Sequence, residues 1–119
     1  MMIKIFHLPS CSTCQRIIKE LEIQQDVTFQ DIKTTPISEA DLDKMKASVG
    51  SYEAVFSKRA MKYKSMDLKN KNLKELDYKR LILEEYTFLK RPVIFVDNQV
   101  FIGNAKSVVA AAKMAIHGA

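Results

Sequence analysis

Apolar residues change their spacing several times along the chain, and each change marks an element. Ile3, Ile5 and Phe6 make a short run of the β type. From Cys14 the spacing becomes helical: Cys14, Ile17, Ile18 and Leu21 recur at i, i+3, i+4 and i+7, the buried stripe of an amphipathic helix. Val27, Phe29 and Ile32 then predict a second strand, bounded by Asp26 and by the turn-prone Thr34-Thr35-Pro36. Ser38 reads as an N-cap with Asp41 three residues on, and Leu42, Met45 and Val49 share a helix face before Gly50 stops it. Tyr52, Val55 and Phe56 give a brief helical stripe, followed by a polar, lysine-rich connection. Asn72 with Glu75 predicts the cap of a further helix, with Leu73, Leu76 and Leu83 on one face and Tyr78, Leu81 and Ile82 widening its apolar side.

The last third differs in character. Val93-Ile94-Phe95-Val96 is a continuous apolar run, as expected of a strand buried on both faces. Asp97-Asn98 signals a tight turn, and Val100-Phe101-Ile102 pairs back as a hairpin. Gly103-Asn104 introduces a final helix in which Ala105, Val108, Val109, Ala112 and Ile116 keep helical spacing. The order is thus strand, helix, strand, a block of helices over roughly 37–88, strand, strand, helix. With no repeat, low-complexity tract or linker, one domain spanning 1–119 is expected.

Composition narrows the class without changing that picture. At 47% hydrophobic and 28% charged residues the chain is ordinary for a globular protein, and its length can bury one core without staples. The opening Met1-Met2-Ile3-Lys4 runs straight into a strand rather than a signal peptide, and no long uncharged apolar run follows, so a cytoplasmic protein with no membrane contact is expected. The net charge of +5 is uneven: Lys58, Arg59, Lys62, Lys64, Lys69, Lys71 and Lys74 cluster against the single acid Asp67. No recognition motif or aromatic stacking set accompanies them, which argues against direct nucleic-acid binding and leaves a solvated face or a large acidic partner.

Both cysteines lie in Pro9-Ser10-Cys11-Ser12-Thr13-Cys14, where the first strand gives way to the first helix. Cys11 falls at the helix N-terminus, where unpaired N–H groups and the positive end of the helix dipole favour thiolate over thiol. Cys14 lies on the same face, closer to the core. In a reducing compartment this C-x-x-C is better explained by redox or metal chemistry than as a staple. A zinc site would need two more ligands, and only His7 and His117 remain besides carboxylates, so no metal is expected. A first cysteine that attacks and a second that resolves the product suits the arrangement, and so does a Cys14 that simply packs.

C-x-x-C after the first strand, together with a proline just before the third, resembles the order of a thioredoxin-like (glutaredoxin-like) fold: a mixed α/β sheet flanked by helices, with a helical insertion between the second and third strands. Four segments then resemble the arsenate reductase (ArsC) and Spx-like family: the strand running into Cys11-Ser12-Thr13-Cys14, Ser57-Lys58-Arg59, Leu89-Lys90-Arg91-Pro92-Val93-Ile94, and Phe101-Ile102-Gly103. The resemblance implies Cys11 as the catalytic cysteine, Arg59 and Arg91 as oxyanion-holding arginines, and Pro92 as the proline beside the cysteine, preceded by a cis peptide bond. It places Ser10, Ser12, Thr13, Pro92 and Asn104 around the substrate. A guanidinium suits the role, since its rigid fork of donors matches a tetrahedral oxyanion and stays charged.

Three departures qualify what is implied. Cys14 stands where such reductases carry serine, as in Spx-like regulators. Asn104 replaces a third arginine and supplies no charge. The basic residue that commonly follows the second cysteine is displaced, because Gln15 comes before Arg16. Two functions are therefore implied. One is a thiol-dependent oxidoreductase, with Cys11 as nucleophile, no bound cofactor, and electrons from glutathione, glutaredoxin or thioredoxin, acting on a small oxyanion or a disulfide. The other is a redox-sensing regulator that binds the RNA polymerase α subunit, with Cys11 and Cys14 as a disulfide switch.

Overall fold

The computed structural model describes residues 1–118, in two compact units: Met1–Thr35 with the chain from Arg91 onward, and Pro36–Lys90. The first unit holds a four-stranded sheet made of β1 (Ile3–His7), β2 (Thr28–Asp31), β3 (Val93–Val96) and β4 (Gln99–Ile102), in the order β2-β1-β3-β4. β1 runs parallel to β2 and antiparallel to β3, and β3 is antiparallel to β4. Two helices, α1 (Ser12–Leu21) and α5 (Lys106–His117), belong to the same unit.

The periodicities account for these elements. Alternation along β1 and β3 puts Ile3, Ile5, Ile94 and Val96 on one face of the sheet, where they form a core with Ile17 and Leu21 of α1 and Val109, Ala112 and Ile116 of α5. Phe6 and Phe95 meet edge to face on the opposite side, with ring centroids 4.9 Å apart. Asp97, with φ of +52°, and Asn98 form the two-residue turn of the β3–β4 hairpin, as expected. β2 is one of the two edge strands, so Phe29 stays 49% exposed while Ile32, just past its end, is buried.

The second unit is helical: α2 (Glu39–Val49), a 3-10 turn at Glu53–Val55, α3 (Met61–Ser65), a 3-10 turn at Leu68–Asn70, α4 (Glu75–Glu84) and a 3-10 turn at Tyr86–Phe88. Ser38 caps α2 by accepting from the Asp41 N–H at 3.0 Å, and Gly50 ends it with φ of +93°. Its buried face is Leu42 and Met45, with Val49 largely exposed. Phe56 is the centre of the unit, with its ring 4.8 Å from Phe88, 5.0 Å from Tyr78 and 5.9 Å from Tyr63.

Two local expectations are corrected here. α4 is capped at Lys74, whose N–H donates to the Asp77 carboxylate at 2.8 Å, rather than by Asn72 with Glu75. The Glu75 carboxylate instead accepts from the Tyr52 and Glu53 N–H groups, at 2.7 and 3.2 Å, and so caps the 3-10 turn there. The buried side of α4 is Tyr78, Leu81 and Ile82, while Leu76 is exposed, because the aromatic cluster around Phe56 selects that stripe from two with helical spacing. The lysine-rich connection contains α3, which buries none of its residues.

Leu21, wholly buried in the core between sheet and helices, and Leu76, exposed on α4, make opposite predictions. Leu21→Ala is expected to cost about 2–5 kcal/mol in denaturant unfolding. Leu76→Ala should stay within about 0.5 kcal/mol of the parent.

Candidate functional site

The sheet register decides which residues meet Cys11. β1 ends at His7, and the turn Leu8–Ser10 carries the chain to Cys11 at the N-cap of α1, with φ −81° and ψ 115°. Phe6 of β1 lies opposite Val93, the first residue of antiparallel β3, so Arg91 and Pro92 enter the sheet at the end where Cys11 sits. Val93 in turn opposes Ile102, the last residue of β4, which brings Gly103 and Asn104 to the same end. The Gly103 N–H donates to the Pro92 carbonyl at 2.9 Å, and the Arg91-Pro92 peptide is cis.

The two sulfurs have unlike surroundings. Cys11 is half-buried and Cys14 fully buried, and both are free thiols. Burial works against the Cys11 thiolate, but the Cys14 backbone N–H and thiol and the Arg91 guanidinium outweigh it, and together they hold the Cys11 thiol below its ordinary value. The sulfur makes no full capping hydrogen bond to the first turn. The effect is therefore one of converging partial charges rather than of one strong bond. Cys14 is pushed up to about 11, first by burial and then by the neighbouring Cys11, against the Leu8 backbone and Arg91, which favour its thiolate. A dithiol thus divides into one sulfur ready to ionise and one that keeps its proton.

Arg91 has a second notable feature. Its Nε is fully buried and has no hydrogen-bond partner among the described residues. A buried donor without an acceptor is costly and uncommon, and at this place a ligand oxygen could take it up.

The other expected residues are placed as follows. Ser10 and Ser12 are exposed and Thr13 half-buried around Cys11, with Ser12 and Thr13 in the first turn of α1. Pro92 is buried and Asn104 exposed. Arg59 is an exposed residue of the second unit, in the segment between the Glu53–Val55 turn and α3. Two contacts had no sequence signal: the influence of the Leu8 backbone on Cys14, and a hydrogen bond from the Gln15 side chain to the Pro9 carbonyl at 2.6 Å. Among the described residues no group of three or more His, Cys, Asp or Glu side chains could hold a metal, and no helix is long and apolar enough to cross a membrane.

The thiolate side of Cys11 governs its chemistry. Alkylation of Cys11 followed against pH should reach half its maximal rate below the ordinary thiol value and fade as falling pH protonates the sulfur, while the deeper Cys14 reacts only at higher pH. Arg91→Gln should move the Cys11 midpoint upward, since it removes a positive charge that favours the thiolate.

The sequence model of the ArsC family matches residues 6–112. The global transcriptional regulator Spx of Streptococcus mutans is 29% identical over 105 residues, covering 86% of this chain and 76% of that protein. The arsenate reductase of Vibrio cholerae superposes with a TM-score of 0.80 at 21% identity, covering 94% of this chain and 98% of that one. An arsenate reductase (ArsC) related protein from Brucella melitensis gives 0.70 at 23% identity, covering 93% of each chain. At such identities the superpositions speak for the fold, a mixed sheet flanked by helices of the thioredoxin-like kind expected from the element order.

Proposed function

The chain belongs to the ArsC family, and on that premise we propose that it is a cytoplasmic thiol-dependent oxidoreductase with Cys11 as its nucleophile. The observation that carries this reading is the placement of the dithiol beside a buried arginine donor: Cys11 half-buried at the N-cap of α1, Cys14 fully buried one turn on, and the Arg91 Nε without an acceptor among the described residues.

On a disulfide substrate, the Cys11 thiolate attacks one sulfur, a Cys11–substrate disulfide forms, and the other sulfur leaves as thiolate. Cys11 is then uncharged, so the part of Cys14's elevation that comes from its neighbour disappears. Cys14 gives its proton to the departing sulfur and attacks Cys11. This releases the second substrate thiol and leaves a Cys11–Cys14 disulfide. Two electrons from glutathione, glutaredoxin or thioredoxin restore the dithiol, with no bound cofactor required. On a tetrahedral oxyanion such as arsenate, Arg91 supplies donors and charge, with Arg59 assigned the same role by the family resemblance. Ser10, Ser12, Thr13, Pro92 and Asn104 would line the substrate; Asn104 brings a hydrogen-bond donor where a third arginine would bring charge, which favours a disulfide over a highly charged anion.

A second reading has its own support in the likeness to Spx and in Cys14: a redox-sensing regulator that binds the RNA polymerase α subunit through a surface controlled by the Cys11–Cys14 disulfide. The exposed, lysine-rich segment around α3 would suit an acidic partner of that kind.

Disulfide and arsenate reductase assays with glutathione and glutaredoxin test the enzyme reading. Cys11→Ser should abolish turnover, whereas Cys14→Ser should keep the first attack and accumulate the mixed disulfide, visible by mass spectrometry. Full activity in Cys11→Ser sinks the proposal. A pull-down with the polymerase α subunit, with and without oxidant, separates the two readings: stable redox-dependent binding without turnover favours the regulator.

A further inference from the structure

The bond from Gln15 has a structural consequence beyond its own small energy. Cys11 is bracketed by three hydrogen bonds: its N–H donates to the Leu8 carbonyl at 3.0 Å, its carbonyl accepts from the Gln15 N–H at 3.0 Å, and the Gln15 side chain reaches back to the Pro9 carbonyl at 2.6 Å. The first two belong to the backbone and form in any chain that follows this path. The third depends on the side chain at position 15, where the family resemblance leads one to expect a basic residue.

We propose that Gln15 is a positioning residue for Cys11: its carboxamide ties the Pro9–Ser10 turn to the first turns of α1, and so keeps the Cys11 sulfur directed at the helix N–H groups and at Arg91. The inference rests on Cys11 being the reactive thiol, as proposed above. Three observations point the same way. Cys11 makes no full hydrogen bond to the first turn, so its ionisation depends on where the N-cap residue holds its sulfur relative to partial charges that fall off over a few ångströms. The charged and titratable groups acting on it are Cys14 from α1 and Arg91 from the segment before β3, both fixed by the core and the sheet register, whereas Cys11 itself hangs on the turn. Finally, the Pro9 carbonyl is a partial negative charge two residues from the sulfur, and the Gln15 amide N–H that it accepts at 2.6 Å offsets part of that charge.

Gln15 is exposed and contributes nothing to the core, so its removal should leave the fold intact. The test is the rate of iodoacetamide alkylation at Cys11 against pH in the full chain, for the parent, Gln15→Met and Gln15→Asn, with unfolding midpoints alongside. Met matches the length of Gln without its donor, and Asn keeps the amide on too short a stem. Both variants should unfold like the parent, show the reactivity midpoint shifted upward, and lose roughly threefold or more of the alkylation rate at neutral pH. Gln15→Glu, which cannot donate and brings a negative charge, should shift it further. Variants that keep the parent's pH profile overturn the positioning role even if the parent's own midpoint is lowered. A parent midpoint in the ordinary thiol range ends the reactive-centre reading instead, whether or not the variants differ from it.

Discussion

The site depends on one placement: the sulfur of Cys11 at the point where the chain leaves a central strand and tightens into α1. That placement is held from beneath rather than by bonds at the sulfur. Ile17 and Leu21 lock α1 onto the sheet, and Cys14, on the same stripe, sinks completely into it. The apolar burial that builds the domain therefore also sets two thiols, one helical turn apart, at different depths. Depth is what separates them chemically, because desolvation penalises the deeper thiolate while the shallower one keeps company with N–H groups and a guanidinium.

The sheet supplies the second half of the arrangement. An antiparallel neighbour beside a strand that ends at the reactive turn must begin where that strand ends, and Arg91-Pro92 lead directly into β3. A residue about eighty positions away in sequence is thus brought to Cys11 by register alone, and the hairpin partner β4 returns Gly103 and Asn104 to the same end of the sheet. Asn104, exposed just past β4, brings a neutral polar side chain to that end. Fold alone does not fix function, so substrate preference must be argued from the site residues themselves.

The helical unit, Pro36–Lys90, shows a different economy of interactions. Phe56 gathers Tyr63, Tyr78 and Phe88 around one ring, and the short turns are closed by carboxylates borrowed from distant positions, as Glu75 does for Tyr52 and Glu53. Lys79, lying over the Tyr52 ring, pairs with Glu39 at 2.8 Å and Asp43 at 3.3 Å and links α4 to α2. These contacts lie many residues apart, and no local spacing announces them.

The mixed sheet with its helical insert was implied by resemblance to a known fold; by itself the sequence determined the element order, the core stripes of α1 and α5, and the place of Cys11 at a helix N-terminus. Each follows from a period of two or of 3.6 residues, or from a local signal at a helix end. It was silent or misleading where several local choices were equally good. Leu76 and Tyr78 both keep helical spacing on α4, and only packing against Phe56 chose between them; Glu75 could cap its own helix or another turn, and tertiary approach made it the latter. The Nε of Arg91, unpartnered among the described residues, and the tie from Gln15 to Pro9 belong to the same class. Pattern along a chain reports which face is apolar, whereas the partner of a polar atom is decided by whatever the folded chain brings within about 3 Å of it.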